Sequence, residues 1–87
     1  ALVLEKIPAS LAQKVAESIS IPVLGIGAGG GVDGQVLVLH DMLGMTQEFH
    51  PRFLRRYMSL HEEMTTAISE YVSDVKTSEF PNENEQY

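Results

Sequence analysis

The sequence predicts an α/β fold with parallel strands, on three observations. Apolar runs at residues 1–4, 21–26 and 36–39 are nearly continuous rather than alternating, as expected of strands covered on both faces. An amphipathic stretch with helical spacing lies between the first two runs. A glycine-rich segment, too short for a crossover helix, lies between the second and the third.

The first run, Ala1-Leu2-Val3-Leu4, ends on a carboxylate, Glu5. Pro8 suits the first position of a helix, where its missing amide hydrogen costs nothing. Over residues 9–19, Leu11, Ala12, Val15 and Ile19 form an apolar stripe, with Gln13, Lys14 and Glu17 opposite. Pro22 ends that helix, because the residue before a proline is pushed out of the helical region. A strand over 21–26 follows, then the glycine segment, then a strand over 36–39. Those last two strands form either a hairpin or two neighbouring parallel strands. The order strand, helix, strand, loop, strand is that of a parallel α/β fold.

Gly25, Gly27 and Gly30 spell G-x-G-x-x-G, the dinucleotide-binding turn. That turn works only when its third glycine opens a helix whose amides hold the pyrophosphate. The residues that follow, Gly31-Val32-Asp33-Gly34, punctuate turns, and Val36-Leu37-Val38-Leu39 is too short and β-branched to be that helix. The spelling matches and the context excludes it.

Residues 49–58 read as a short helix after Pro51. A longer one follows over 60–76, with Ser59 and Glu62 spelling a capping box. Its apolar positions Leu60, Met64, Ala67, Ile68, Tyr71, Val72 and Val75 recur every three or four residues. Residues 78–87 are polar, contain Pro81 and read as a tail.

A chain of 87 residues buries a modest share of its surface, and without cysteine it has neither disulfides nor thiolate metal ligands. It is expected to be unstable alone unless it associates with itself or with further strands. A net charge of −6 argues against nucleic acid or an anionic membrane as partner. No stretch is long enough to cross a membrane and no signal-peptide pattern opens the chain, so the expected location is cytoplasmic. Arg52, Arg55 and Arg56 are read as a solvated helix face, with contact to an anionic cofactor tail as the alternative.

Three segments in register carry a resemblance. Leu4-Glu5-x-Ile7-Pro8, Gly25-Ile26-Gly27-Ala28-Gly29 and Asp33-Gly34-Gln35-Val36-Leu37-Val38-x-His40-Asp41-x-x-Gly44 resemble the ketopantoate hydroxymethyltransferase family. Pro51-x-Phe53 and Phe80-Pro81 fit its C-terminal region, so the resemblance covers essentially the whole chain. It implies the C-terminal part of a (β/α)₈ TIM barrel of the phosphoenolpyruvate/pyruvate-like superfamily, with a long C-terminal helix. Such barrels take about 250 residues. Residues 1–77 would then supply the last strands and helices, and 78–87 the tail. Members of the wider superfamily often exchange their last helix between subunits, which makes a homo-oligomer the expectation.

The implied reaction moves a one-carbon unit from 5,10-methylenetetrahydrofolate to C3 of 3-methyl-2-oxobutanoate, giving 2-dehydropantoate. A base must remove the C3 proton, and a divalent metal, Mg²⁺, stabilises the developing oxyanion. On the residues alone, Glu5 is a strand-end carboxylate in solvent or near the amides of the following helix. The resemblance makes Glu5 the general base, at the strand end where barrels place catalytic groups. It also makes Ile26, Val36 and Val38 apolar walls around the substrate's branched end, although ordinary barrel packing accounts for them equally.

No metal ligand is assigned in this chain; the family's metal ligands lie in the earlier half of the barrel. His40-Asp41 is read as structural, since neighbours on a strand face opposite ways. His61-Glu62-Glu63-Met64-Thr65 lacks the second histidine of the zinc motif. The alternative to the transferase is a non-catalytic α/β assembly module with a swapped C-terminal helix.

Overall fold

The computed structural model describes residues 1–87. A strand β1 (Leu2–Glu5) leads into helix α1 (Ala9–Ser18) and strand β2 (Val23–Ile26). A two-residue strand β3 (Gly34–Gln35), a single-turn helix α2 (Leu39–Met42) and a long helix α3 (Leu60–Lys76) complete the chain. The three strands form one parallel sheet in the order β1-β2-β3. The connection between β2 and β3 therefore joins parallel neighbours, not a hairpin.

Register explains which face is covered. Leu2 and Leu4 pair with Val23 and Gly25, and Val3 and Glu5 with Leu24 and Ile26. Alternation puts the first set on one face and the second on the other. Helix α1 packs on β2, and Ala12 and Val23 are fully buried. The opposite face is open, leaving Val3 52% exposed. A strand pair this short holds register through its ends: the Leu2 N–H donates to the Pro22 carbonyl and the Lys6 N–H to that of Ile26, both at 2.8 Å. Asp33 clips the other edge, its carboxylate accepting from the Val23 N–H at 2.8 Å and its own N–H donating to the Val23 carbonyl at 2.9 Å.

The glycine segment is a loop braced against α1. Gly29 has φ +82°, and a side chain there would run into Ala9; one at Gly31 would meet Gln13 at 2.9 Å. No helix opens at Gly30, so the dinucleotide turn is absent, as its context indicated.

Four expectations are corrected. The strand expected over 36–39 is not formed: pairing stops after Gln35, apart from one bond from the Val36 N–H to the Gly25 carbonyl (2.9 Å), and Leu39 opens α2. A short apolar run is ambiguous between strand and buried helix, and only a pairing partner settles it. The helix expected over 49–58 is replaced by one turn, closed by the Leu54 N–H on the Pro51 carbonyl (3.1 Å). Long-range bonds win there. The Tyr57 N–H donates to the Met42 carbonyl (2.8 Å), and the Arg56 guanidinium holds the Thr46 carbonyl at 2.6 Å. The capping box is not made either: Ser59 precedes α3 without a side-chain bond to it. Pro8 sits one position earlier than expected, as the N-cap of α1.

Helix α3 buries none of its residues and gives the molecule extents of 66 × 27 × 13 Å. Its start is tied to α2 through Gly44, which has φ +72° and whose carbonyl accepts the His61 N–H at 3.1 Å. At its far end, Phe80 folds back onto Tyr71, ring centroids 5.5 Å apart and edge to face.

Candidate active site

The C-terminal ends of β1 and β2 bring together what the sequence kept apart. Glu5 closes β1 on the open face of the sheet, and the register sets it beside Ile26. Immediately after Glu5 the chain turns through Lys6, a non-glycine residue at φ 52°. A left-handed lysine is costly unless its surroundings hold it, and such strain gathers at functional sites. The holding contact is the bond from the Lys6 N–H to the Ile26 carbonyl.

Two adjoining clefts open at this end, sharing Gly27, Gly29 and Phe53. One, of about 710 Å³, is lined by Lys6, Ile7, Pro51 and Arg52 besides the shared residues. The other, of about 420 Å³, adds Gln35, Val36, Leu37, Arg55 and Tyr57. Gly27 has to be glycine: its φ is +60°, and a Cβ would stand 2.7 Å from the Phe53 ring. Gln35 steadies the loop, its side-chain amide donating to the Gly29 carbonyl at 2.9 Å. A smaller hollow near Ser20 and Pro22 lies at the other end of the strands.

Of the residues singled out from sequence, Glu5 and Ile26 are brought together and Val36 lines the second cleft. Glu5 and Ile26 flank the clefts without lining them, and Val38, farther on as the N-cap of α2, lines neither. His40 and Asp41 are neighbours on α2 rather than on a strand, and adjacent helical positions do not face each other. No three Asp, Glu, His or Cys side chains are grouped to hold a metal ion.

The arginine cluster is not a helix face. It divides: Arg56 turns in to bind loop carbonyls, while Arg52 and Arg55 are exposed and line the clefts. Arg55 lies over Tyr57, 6.0 Å from the ring centroid. Sequence reasoning missed Lys6 and Tyr57 as site residues. The Pro51-x-Phe53 segment and the arginines beside it were the available signal for the far wall of the cleft.

A family model described as ketopantoate hydroxymethyltransferase matches residues 1–83. A curated relative from Flavobacterium johnsoniae is 74% identical over 86 residues, which is 99% of this chain and 32% of the relative. Relatives from Christiangramia forsetii and Parabacteroides distasonis are 70% and 69% identical over 87 residues, all of this chain and 32% of each. All three carry the name 3-methyl-2-oxobutanoate hydroxymethyltransferase. The chain spans about a third of the length of these relatives. It belongs to the ketopantoate hydroxymethyltransferase family.

Proposed function

We propose that this chain forms the C-terminal part of a TIM-barrel 3-methyl-2-oxobutanoate hydroxymethyltransferase and supplies its general base. The observation that carries the reading is the position of Glu5: a carboxylate at the C-terminal end of a parallel strand, on an open sheet face, beside Ile26. Barrel enzymes do their chemistry at that end. The open face would be the barrel interior, covered by the remaining strands. Residues 1–77 belong to the barrel and 78–87 to its tail.

In this reading the Glu5 carboxylate takes the C3 proton of the oxo acid. The C3–H electron pair moves into the enolate, and C3 then bonds to the methylene carbon of 5,10-methylenetetrahydrofolate. Both bonds from that carbon to the folate nitrogens break, each nitrogen taking up a proton as tetrahydrofolate leaves, and water supplies the hydroxyl of the new hydroxymethyl group. Ile26, beside Glu5, and Val36 wall the branched end of the substrate and exclude water from the enolate, while Val38 is set back at the start of α2. The reaction's Mg²⁺ takes its ligands from outside these 87 residues. The enzyme works in the cytoplasm as a homo-oligomer, α3 laying its exposed stripe of Ile68, Tyr71, Val72 and Val75 on a neighbouring barrel.

That same stripe favours the second reading, an assembly module without catalysis. Formation of 2-dehydropantoate from the oxo acid and the folate donor by the intact protein decides between them. The transferase reading expects turnover in the wild type and its loss in Glu5→Gln; a folded wild type without turnover leaves the assembly module.

A further inference from the structure

Two residues other than glycine take up left-handed backbone, Lys6 at φ 52° and Ser78 at φ 61°. Ser78 follows the C-cap of α3, where helices commonly end in that conformation. Lys6 ends no helix: it stands between β1 and α1, directly after Glu5. Three of the seven glycines take positive φ elsewhere, whereas here a residue with a Cβ bears the cost of the turn. Its neighbours leave the turn nowhere else to go. Before it, Glu5 is in register with Ile26, and the Lys6 N–H donates to the Ile26 carbonyl at 2.8 Å as the last rung of the ladder. After it, Ile7 precedes a proline and is confined to extended backbone. Pro8 is fixed at φ −55°, and its carbonyl accepts from the Leu11 and Ala12 N–H groups at 3.0 and 3.1 Å.

Resting on the reading of Glu5 as the base, we infer that Lys6 is its positioning residue, acting through its left-handed backbone rather than its ammonium. A residue that resists positive φ must give up either the rung to Ile26 or the bonds that start α1 at Pro8. Helix α1 is held on β2 with Ala12 fully buried, so the rung is the part that yields. The strand end that carries Glu5 then comes free of Ile26. A base displaced by about 1 Å loses on the order of a hundredfold in rate. Glu5 takes a proton from the bound oxo acid and does not hold the acid in place, so its displacement slows the chemistry and spares KM.

The test compares three variants of the intact protein, Lys6→Asn, Lys6→Ala and Lys6→Val. All three lack the ammonium, so differences among them report the backbone alone. Asn adopts positive φ readily, Ala resists it about as lysine does, and β-branched Val resists it most. Exchange of the C3 proton of the oxo acid into deuterated water, followed by NMR, reads the proton transfer, and steady-state kinetics reads KM. Relative to Lys6→Asn, exchange should fall at most about threefold in Lys6→Ala and about a hundredfold in Lys6→Val, with KM for the oxo acid within about threefold across the three. If Lys6→Val does not fold, the smaller β-branched Lys6→Thr is read in its place. Equal exchange by all the variants overturns the inference, and a uniform loss from the wild-type rate assigns the role to the ammonium. A rise in KM that matches the loss of exchange in Lys6→Val also overturns it, as the mark of a general distortion. In each of these cases exchange by the wild type leaves the transferase reading standing. A folded wild type without exchange overturns both.

Discussion

Helix α1 covers one face of the sheet with Ala12 fully buried, whereas α3, at seventeen residues, buries none. Both carry an apolar stripe. The difference lies in what stands opposite: α1 has β2, while Ile68 of α3 remains 63% exposed and Tyr71 56%. Covering one such side chain is worth roughly 1.5–3 kcal/mol, so the exposed stripe is stabilisation not yet collected. The open sheet face around Val3 is in the same position. Amphipathicity states that a surface needs a partner; only packing states which.

The joint between these two regions gives the largest expected effect. Gly44 is buried at φ +72°, and a Cβ there would strike the Met58 carbonyl. Gly44→Ala should cost about 3 kcal/mol or more in denaturant unfolding of the intact protein. A change within noise would mean that α3 is not fixed through this turn.

The next pair contrasts the regions directly. Val23→Ala removes fully buried methyls and should cost about 2 kcal/mol at any protein concentration. Ile68→Ala should instead act through assembly, lowering the unfolding midpoint more at low concentration than at high. If both behave alike, the two regions do not differ as described.

A smaller loss is expected from Arg56→Met, which removes the bonds to the Thr46 and Gln47 carbonyls at 2.6 and 3.3 Å. About 1–2 kcal/mol in the same unfolding assay fits a charge-assisted contact of this kind. Least of all, Ser59→Ala should leave the midpoint within about 0.5 kcal/mol, because its hydroxyl caps nothing.

The elements read correctly from sequence are those whose signals are local. β1, α1, β2 and α3 follow from apolar runs, Pro8, Pro22 and three-four spacing, with α3 matching its expected bounds. What failed depended on distant partners. Val36 and Leu37 carry strand-forming side chains, but β2 ends at Ile26 and offers them little to pair with. Residues 49–58 have helical composition in part, but Arg56 and Tyr57 spend their donors on Thr46 and Met42 instead.

The candidate site divides the same way. That Glu5 closes a strand was legible; that it lies beside Ile26, next to a left-handed Lys6, required the register. The cleft brings position 6 to position 53, and no local pattern in the chain encodes that meeting.

The most direct test of the central claim, that Glu5 is the base, is the exchange of the C3 proton of 3-methyl-2-oxobutanoate in deuterated water, followed by NMR. It is run with the intact protein and magnesium, wild type against a Glu5→Gln variant shown to be equally folded. The account predicts exchange by the wild type and a loss of at least about a hundredfold in the variant. Equal exchange by both proteins would contradict it and place the base elsewhere.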